Sequence, residues 1–228
     1  MKNNNEEVSA LSMTLQYDGP KGAEKHLLAI ANERGDAELA VLVPQIPAHD
    51  LLRMINEGDY TKPSTAAPHV TADQFIEMLE RTMASWGGNV ASSEYYRILD
   101  NFHHFLVSIF LTGVSPQQGA ELFNALVEHE VGADIPALIA FGGKDTEAFF
   151  DDTGSPDFQR GTWQEVIYLF SQEHPEYLKK VHKIWRSLRK KGAFRKRASD
   201  VFDRLSELAQ SHVSDNTPTE PEKVWLDI

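Results

Sequence analysis

The apolar positions of this chain recur every three to four residues in one segment after another, and strand-like alternation is absent. Such a rhythm marks helices that each bury one face. "GAEKHLLAIANERG" carries a stripe through Ala23, Leu27, Ile30 and Ala31 and stops at Gly35, which predicts a helix over 21–34. "DAELAVLVPQIPAHDLLRMINEGD" divides into two short helices, because Pro44 ends the first and Pro47 suits the opening turn of the second. Residues 21–60 are thus expected to be short N-terminal helices. "YTKPSTAAPHV" has no period and gathers two prolines, so 61–70 reads as a linker or long loop.

A main helical domain is expected over 71–212. In "TADQFIEMLERTMASWGG" the Thr71 and Gln74 spacing predicts mutual capping, and Phe75, Met78, Leu79, Met83 and Trp86 form the stripe. "SSEYYRILDNFHHFLVSIFLTG" becomes apolar almost all round from Phe102 to Leu111, which predicts a central helix over 93–111. Ser115, Pro116 and Gln118 open the next helix, and Gly132 closes it; a short apolar piece, "IPALIAFGG", follows. The stretch 144–161 reads as an acidic loop, and Thr162 with Glu165 as a further capping box. Pro175 starts a helix that Gly192 interrupts, and a last helix carries Phe194, Ala198, Val201, Phe202, Leu205, Leu208 and Ala209 on one side. The expected architecture is all-α, a globular multi-helix bundle of about eight or nine helices with polar tails at both ends. Residues 1–20 read as a disordered N-terminal tail and 213–228 as a flexible C-terminal one.

With 228 residues, 41% of them hydrophobic, the chain can bury a core without covalent or metal staples. It has no cysteine, which excludes disulfides, thiolate zinc sites, iron–sulfur clusters and cysteine nucleophiles and fits a reducing compartment. The start has no basic stretch followed by an apolar run, as a secretory signal would, and no stretch approaches the roughly 18 apolar residues of a membrane span. A soluble, cytoplasmic protein is expected.

Charge changes this picture more than composition does. The formal net charge is -12, yet "KKVHKIWRSLRKKGAFRKR" places ten basic residues and no acid between Lys179 and Arg197. At about 100° per residue, Leu178, Val181, Ile184, Trp185 and Leu188 share one face. Lys179, Lys180, Lys183, Arg186 and Lys190 fall on the other, and Arg189, Lys191, Arg195, Lys196 and Arg197 extend the charge. One reading is a solvated face that offsets the preceding acidic segment, where eight acids stand against one arginine from Asp145 to Glu176. A second is DNA or RNA, whose phosphates such a row can track; His182 is the sole aromatic candidate on its exposed side. A third is a partner groove or an anionic membrane, and both require the helix to leave the core.

Catalytic motifs do not emerge. Asp100 and His103 share a helix face, as metal ligands in bundles do, but the facing carboxylate-x-x-histidine is missing. Glu128, His129 and Glu130 are consecutive and point apart on a helix. Hydrolase elbow, phosphate loop and dinucleotide patterns are absent, and the acidic loop lacks EF-hand spacing. No catalytic residue, cofactor or metal ligand is therefore assigned. The C-terminal tip adds a second contact candidate, with Val224, Trp225, Leu226 and Ile228 as an apolar peptide that docks in cis or on a partner. The functional expectation is a non-enzymatic cytoplasmic adaptor or regulator working through protein–protein contacts at the basic face and this tip. A nucleic-acid-binding regulator using 179–197 is the alternative, and a metal-dependent enzyme around Asp100 and His103 a remote one.

Overall fold

Among the described residues the regular elements are helices. The computed structural model describes residues 4–56, 64–84, 105–107, 109–110, 114–142, 149–150, 157 and 162–215, and no β-strand occurs among them. In chain order the helices are α1 (Asn4–Arg34), α2 (Asp36–Leu42), α3 (Ala48–Asn56), α4 (Ala72–Ala84), α5 (Pro116–Glu128), α6 (Asp134–Gly142), α7 (Trp163–Ser171), α8 (Pro175–Leu188) and α9 (Ala193–Asp215). Short 3-10 turns at Val43–Gln45 and Ala67–His69 link some of them. The fold is all-α, as the periodicity implies.

The N-terminal tail is corrected. Residues 4–20 are helical rather than disordered, and Leu11 and Leu15 are buried. The helix breaks at Gly19, whose φ of 72° and ψ of -173° are non-helical, immediately before Pro20. Its two arms must fold back on each other, because Arg34 bonds Glu7 at 2.9 Å and the His26 ring meets the Thr14 hydroxyl at 3.3 Å. On one straight helix residues 7 and 34 would lie about 40 Å apart. Val8, Leu11 and Leu15 keep helical spacing, but the polar residues between them hide it from a compositional reading.

The described part of the expected linker is packed down as well. Ala66, Ala67 and Val70 are buried, and the Glu24 carboxylate accepts from the Ser64 hydroxyl at 2.5 Å and the Thr65 amide at 2.9 Å. The α4 start follows the expected capping: Gln74 N–H donates to Thr71 Oγ1, and Thr71 N–H to Gln74 Oε1. Gln74 then uses its amide nitrogen to satisfy the Val43 and Ile46 carbonyls, at 2.9 and 2.8 Å. By contrast, the Thr162 hydroxyl turns to Gln164 Oε1 and caps no amide of α7.

Most of the expected central helix lies outside the described residues. Those that are described are helical, with Phe105, Leu106, Ile109 and Phe110 buried and Val107 partly so, and the Phe75 ring lies stacked on Phe105 at 5.8 Å and edge-on to Phe110 at 5.6 Å. The apolar piece 135–140 is a helix, α6, buried on all sides. One apolar cluster runs from Leu11 on α1 to Leu205 on α9, so the N-terminal helices and the later ones share a core. No described helix is long and apolar enough to cross a membrane.

Candidate functional site

The α8 helix is two-sided for the reason its sequence gives. Val181, Ile184, Trp185 and Leu188 are buried, each worth about 1.5–3 kcal/mol of burial. Leu178 is partly covered against the same core, and Tyr177 joins the buried side. Lys179, Lys180, Lys183 and Arg186 project from the opposite side, all exposed. The chain bends at Gly192, where φ is 78°, and α9 begins with Arg195 and Lys196 exposed beyond the bend.

The ten basic residues do not all stand in the same situation. Lys179 pairs with Glu176 at 2.6 Å, although both side chains are largely in water. Arg189 lies over the Trp185 ring, 4.2 Å from its centroid, a contact worth about 0.5–1 kcal/mol. Arg197 turns inward and donates through Nε to the buried carboxylate of Asp134. That bond holds the guanidinium proton more firmly than usual. Lys180, Lys183, Arg186, Lys190, Lys191, Arg195 and Lys196 remain exposed and make no ion pair among the described residues.

His182 is not a free aromatic on this surface. It is half-buried, with its ring 4.8 Å from Phe150 and 5.9 Å from Trp185. Phe150 also meets Trp185 at 5.7 Å, and Phe149 meets Trp163 at 5.4 Å. Phe150 thus packs against α8, and Phe149 against α7. The Asp157 amide bonds the Phe149 carbonyl at 2.7 Å.

Sequence spacing gives no hint of a second cluster. Glu80 on α4 is only 3% exposed, and each of its oxygens meets a histidine from another element. His129 Nε2 is 3.1 Å from Oε1, and His212 Nε2 of α9 is 2.5 Å from Oε2. The Val131 amide donates to His129 Nδ1, which leaves Nε2 to carry the proton given to Glu80. Consecutive Glu128, His129 and Glu130 indeed diverge: Glu128 is exposed, His129 faces Glu80, and Glu130 takes Arg204 of α9. The Arg204 bond lowers the Glu130 carboxyl below its ordinary range.

Arg197, Arg204 and His212 follow one another along α9 at about two helical turns each and meet Asp134, Glu130 and Glu80 in turn. These contacts fix α9 against α4 and the α5–α6 corner. Among the described residues no group of three histidines or carboxylates is arranged to hold a metal ion. Asp100 and His103, and the tip Val224, Trp225, Leu226 and Ile228, lie outside the described residues.

Tyr177 locks α8 to the same corner, donating its buried hydroxyl to the Gly132 carbonyl at 2.9 Å. Burial, with the Asp134 charge as a lesser cause, pushes this phenol far above its ordinary value. The folded state thus holds the proton more tightly than the unfolded chain does. Its contribution is complete below about pH 10, the ordinary phenol value, and is lost as pH rises beyond it. Wild-type stability is expected to fall between pH 9 and 11, by guanidinium midpoint, more steeply than that of Tyr177→Phe. At neutral pH the variant should be less stable by about 1 kcal/mol. Parallel pH profiles would refute this role. Comparison with protein-family models, with curated proteins and with solved structures returns no match.

Proposed function

We propose that this protein is a non-enzymatic cytoplasmic adaptor or regulator that contacts a macromolecular partner through the basic face of α8 and the start of α9. The observation that supports this reading is the set of exposed cations, without ion pairs among the described residues, held on a helix whose other side is packed in the core. Within the described residues, Lys179, Arg197 and Arg204 are drawn into ion pairs, and these other cations are not. Burial of Trp185 and Ile184 also argues against insertion into a membrane, since the apolar side is already occupied. The C-terminal tip, with Trp225 as anchor, is the second contact of this reading.

The test is affinity capture from source lysate followed by measurement with the purified partner. Lys183→Glu/Arg186→Glu/Lys190→Glu changes only exposed side chains, so its melting temperature should stay close to wild type. Partner affinity should drop by about tenfold or more. Unchanged affinity for every partner, in this variant and in Trp225→Ala, would defeat the proposal.

A further inference from the structure

Resting on that reading, we infer that the basic face fits a short acidic segment of a partner protein, and not the long phosphate track of a nucleic acid. The exposed row from Lys180 on α8 to Lys190 in the turn just after it spans about 15 Å. A carboxylate closes each end of the positive surface. Glu176 stands four residues before Lys180, already bonded to Lys179, and exposed Glu173 lies in the turn that precedes α8. Beyond the bend, Asp200 follows Lys196 by four residues and Asp203 by seven, both exposed. The charge is therefore an island with acidic shores.

A duplex has phosphates along its whole length, so one laid on this row would run its backbone past carboxylates in either direction. The whole-chain charge of -12 repels a long polyanion in addition. Single-stranded nucleic acid needs exposed rings on which bases stack. On this face Trp185 is buried beneath Arg189, and His182 is engaged by Phe150. A segment of about five extended residues, or about three helical turns, covers the row without reaching its acidic ends. Lys179, Lys183, Arg186 and Lys190 recur at spacings of four, three and four, so a helical segment with glutamates at the same intervals meets them side by side.

Fluorescence anisotropy of the full chain with two labelled probes decides the matter: a helical peptide with glutamate at every third or fourth position, and a DNA duplex of about 20 base pairs. At about 50 mM salt the peptide should bind, and the Lys183→Glu/Arg186→Glu/Lys190→Glu variant should weaken it about tenfold. The duplex should bind no tighter than the peptide. Duplex binding tighter by about tenfold, and dependent on the three cations, overturns this inference while leaving the proposed surface standing. If neither probe binds, or if the variant binds the peptide as well as wild type does, both fall.

Discussion

Glu80→Ala should lower the unfolding free energy by about 3 kcal/mol or more, although Glu80 lies far from the basic face. The carboxylate is buried and accepts from two imidazoles that reach it from different elements, His129 after α5 and His212 on α9. Truncation leaves a cavity and takes the acceptor from both rings at once. The His129 proton has no alternative, because its ring is fixed from the other side by the Val131 amide. His129 is also shielded, at 7% side-chain exposure, so water cannot readily replace the lost oxygen. Glu80→Gln tests the cause: it keeps the volume but presents an N–H₂ group to one of two donors, so its loss should be intermediate. Urea unfolding of the single variants and of Glu80→Ala/His212→Ala measures the coupling, expected at about 1–3 kcal/mol. A loss below about 1 kcal/mol in Glu80→Ala would sink the clamp.

The clamp and the basic face were unequally legible, and for a physical reason. A helix face is a local property: Val181, Ile184, Trp185 and Leu188 declare their side by spacing alone, and the lysines follow on the other. Which cation remains free is not local. Arg197 sits in the same basic run as Lys196, yet its partner Asp134 is 63 residues away and becomes visible only when α6 packs beside α9. The Glu80 cluster joins positions 80, 129 and 212, separations that no motif records. The N-terminal arm failed for another reason. Its helix is stabilised by folding back at Gly19 onto a second arm, with Glu7 buried against Arg34, so its polar residues look like a tail until their partners arrive.

Among the described glycines, Gly132→Ala should be the most damaging substitution by alanine. A Cβ at Gly132 would stand 1.8 Å from the Leu126 carbonyl oxygen, 3.0 Å from its carbon and 3.1 Å from the His129 oxygen. These are backbone atoms at the end of α5, which cannot swing aside as a side chain can. The turn must move by more than about 1 Å to restore ordinary contact. Its neighbours resist that movement. Gly132 N–H donates to the His129 carbonyl at 3.0 Å, its own carbonyl accepts the Tyr177 hydroxyl, and His129 and Asp134 on either side hold Glu80 and Arg197. A shift there loosens α6, α8 and α9 together, so a loss of about 3 kcal/mol or more is expected. Gly192→Ala supplies the control. Its φ is 78° and nothing lies within 4 Å of the added carbon, so it carries only the left-handed backbone cost of about 1–2 kcal/mol. Chemical unfolding of both variants separates collision from conformation. A Gly132→Ala loss no larger than that of Gly192→Ala would show that the corner can yield, and that α5, α6 and α8 are not held there by close approach.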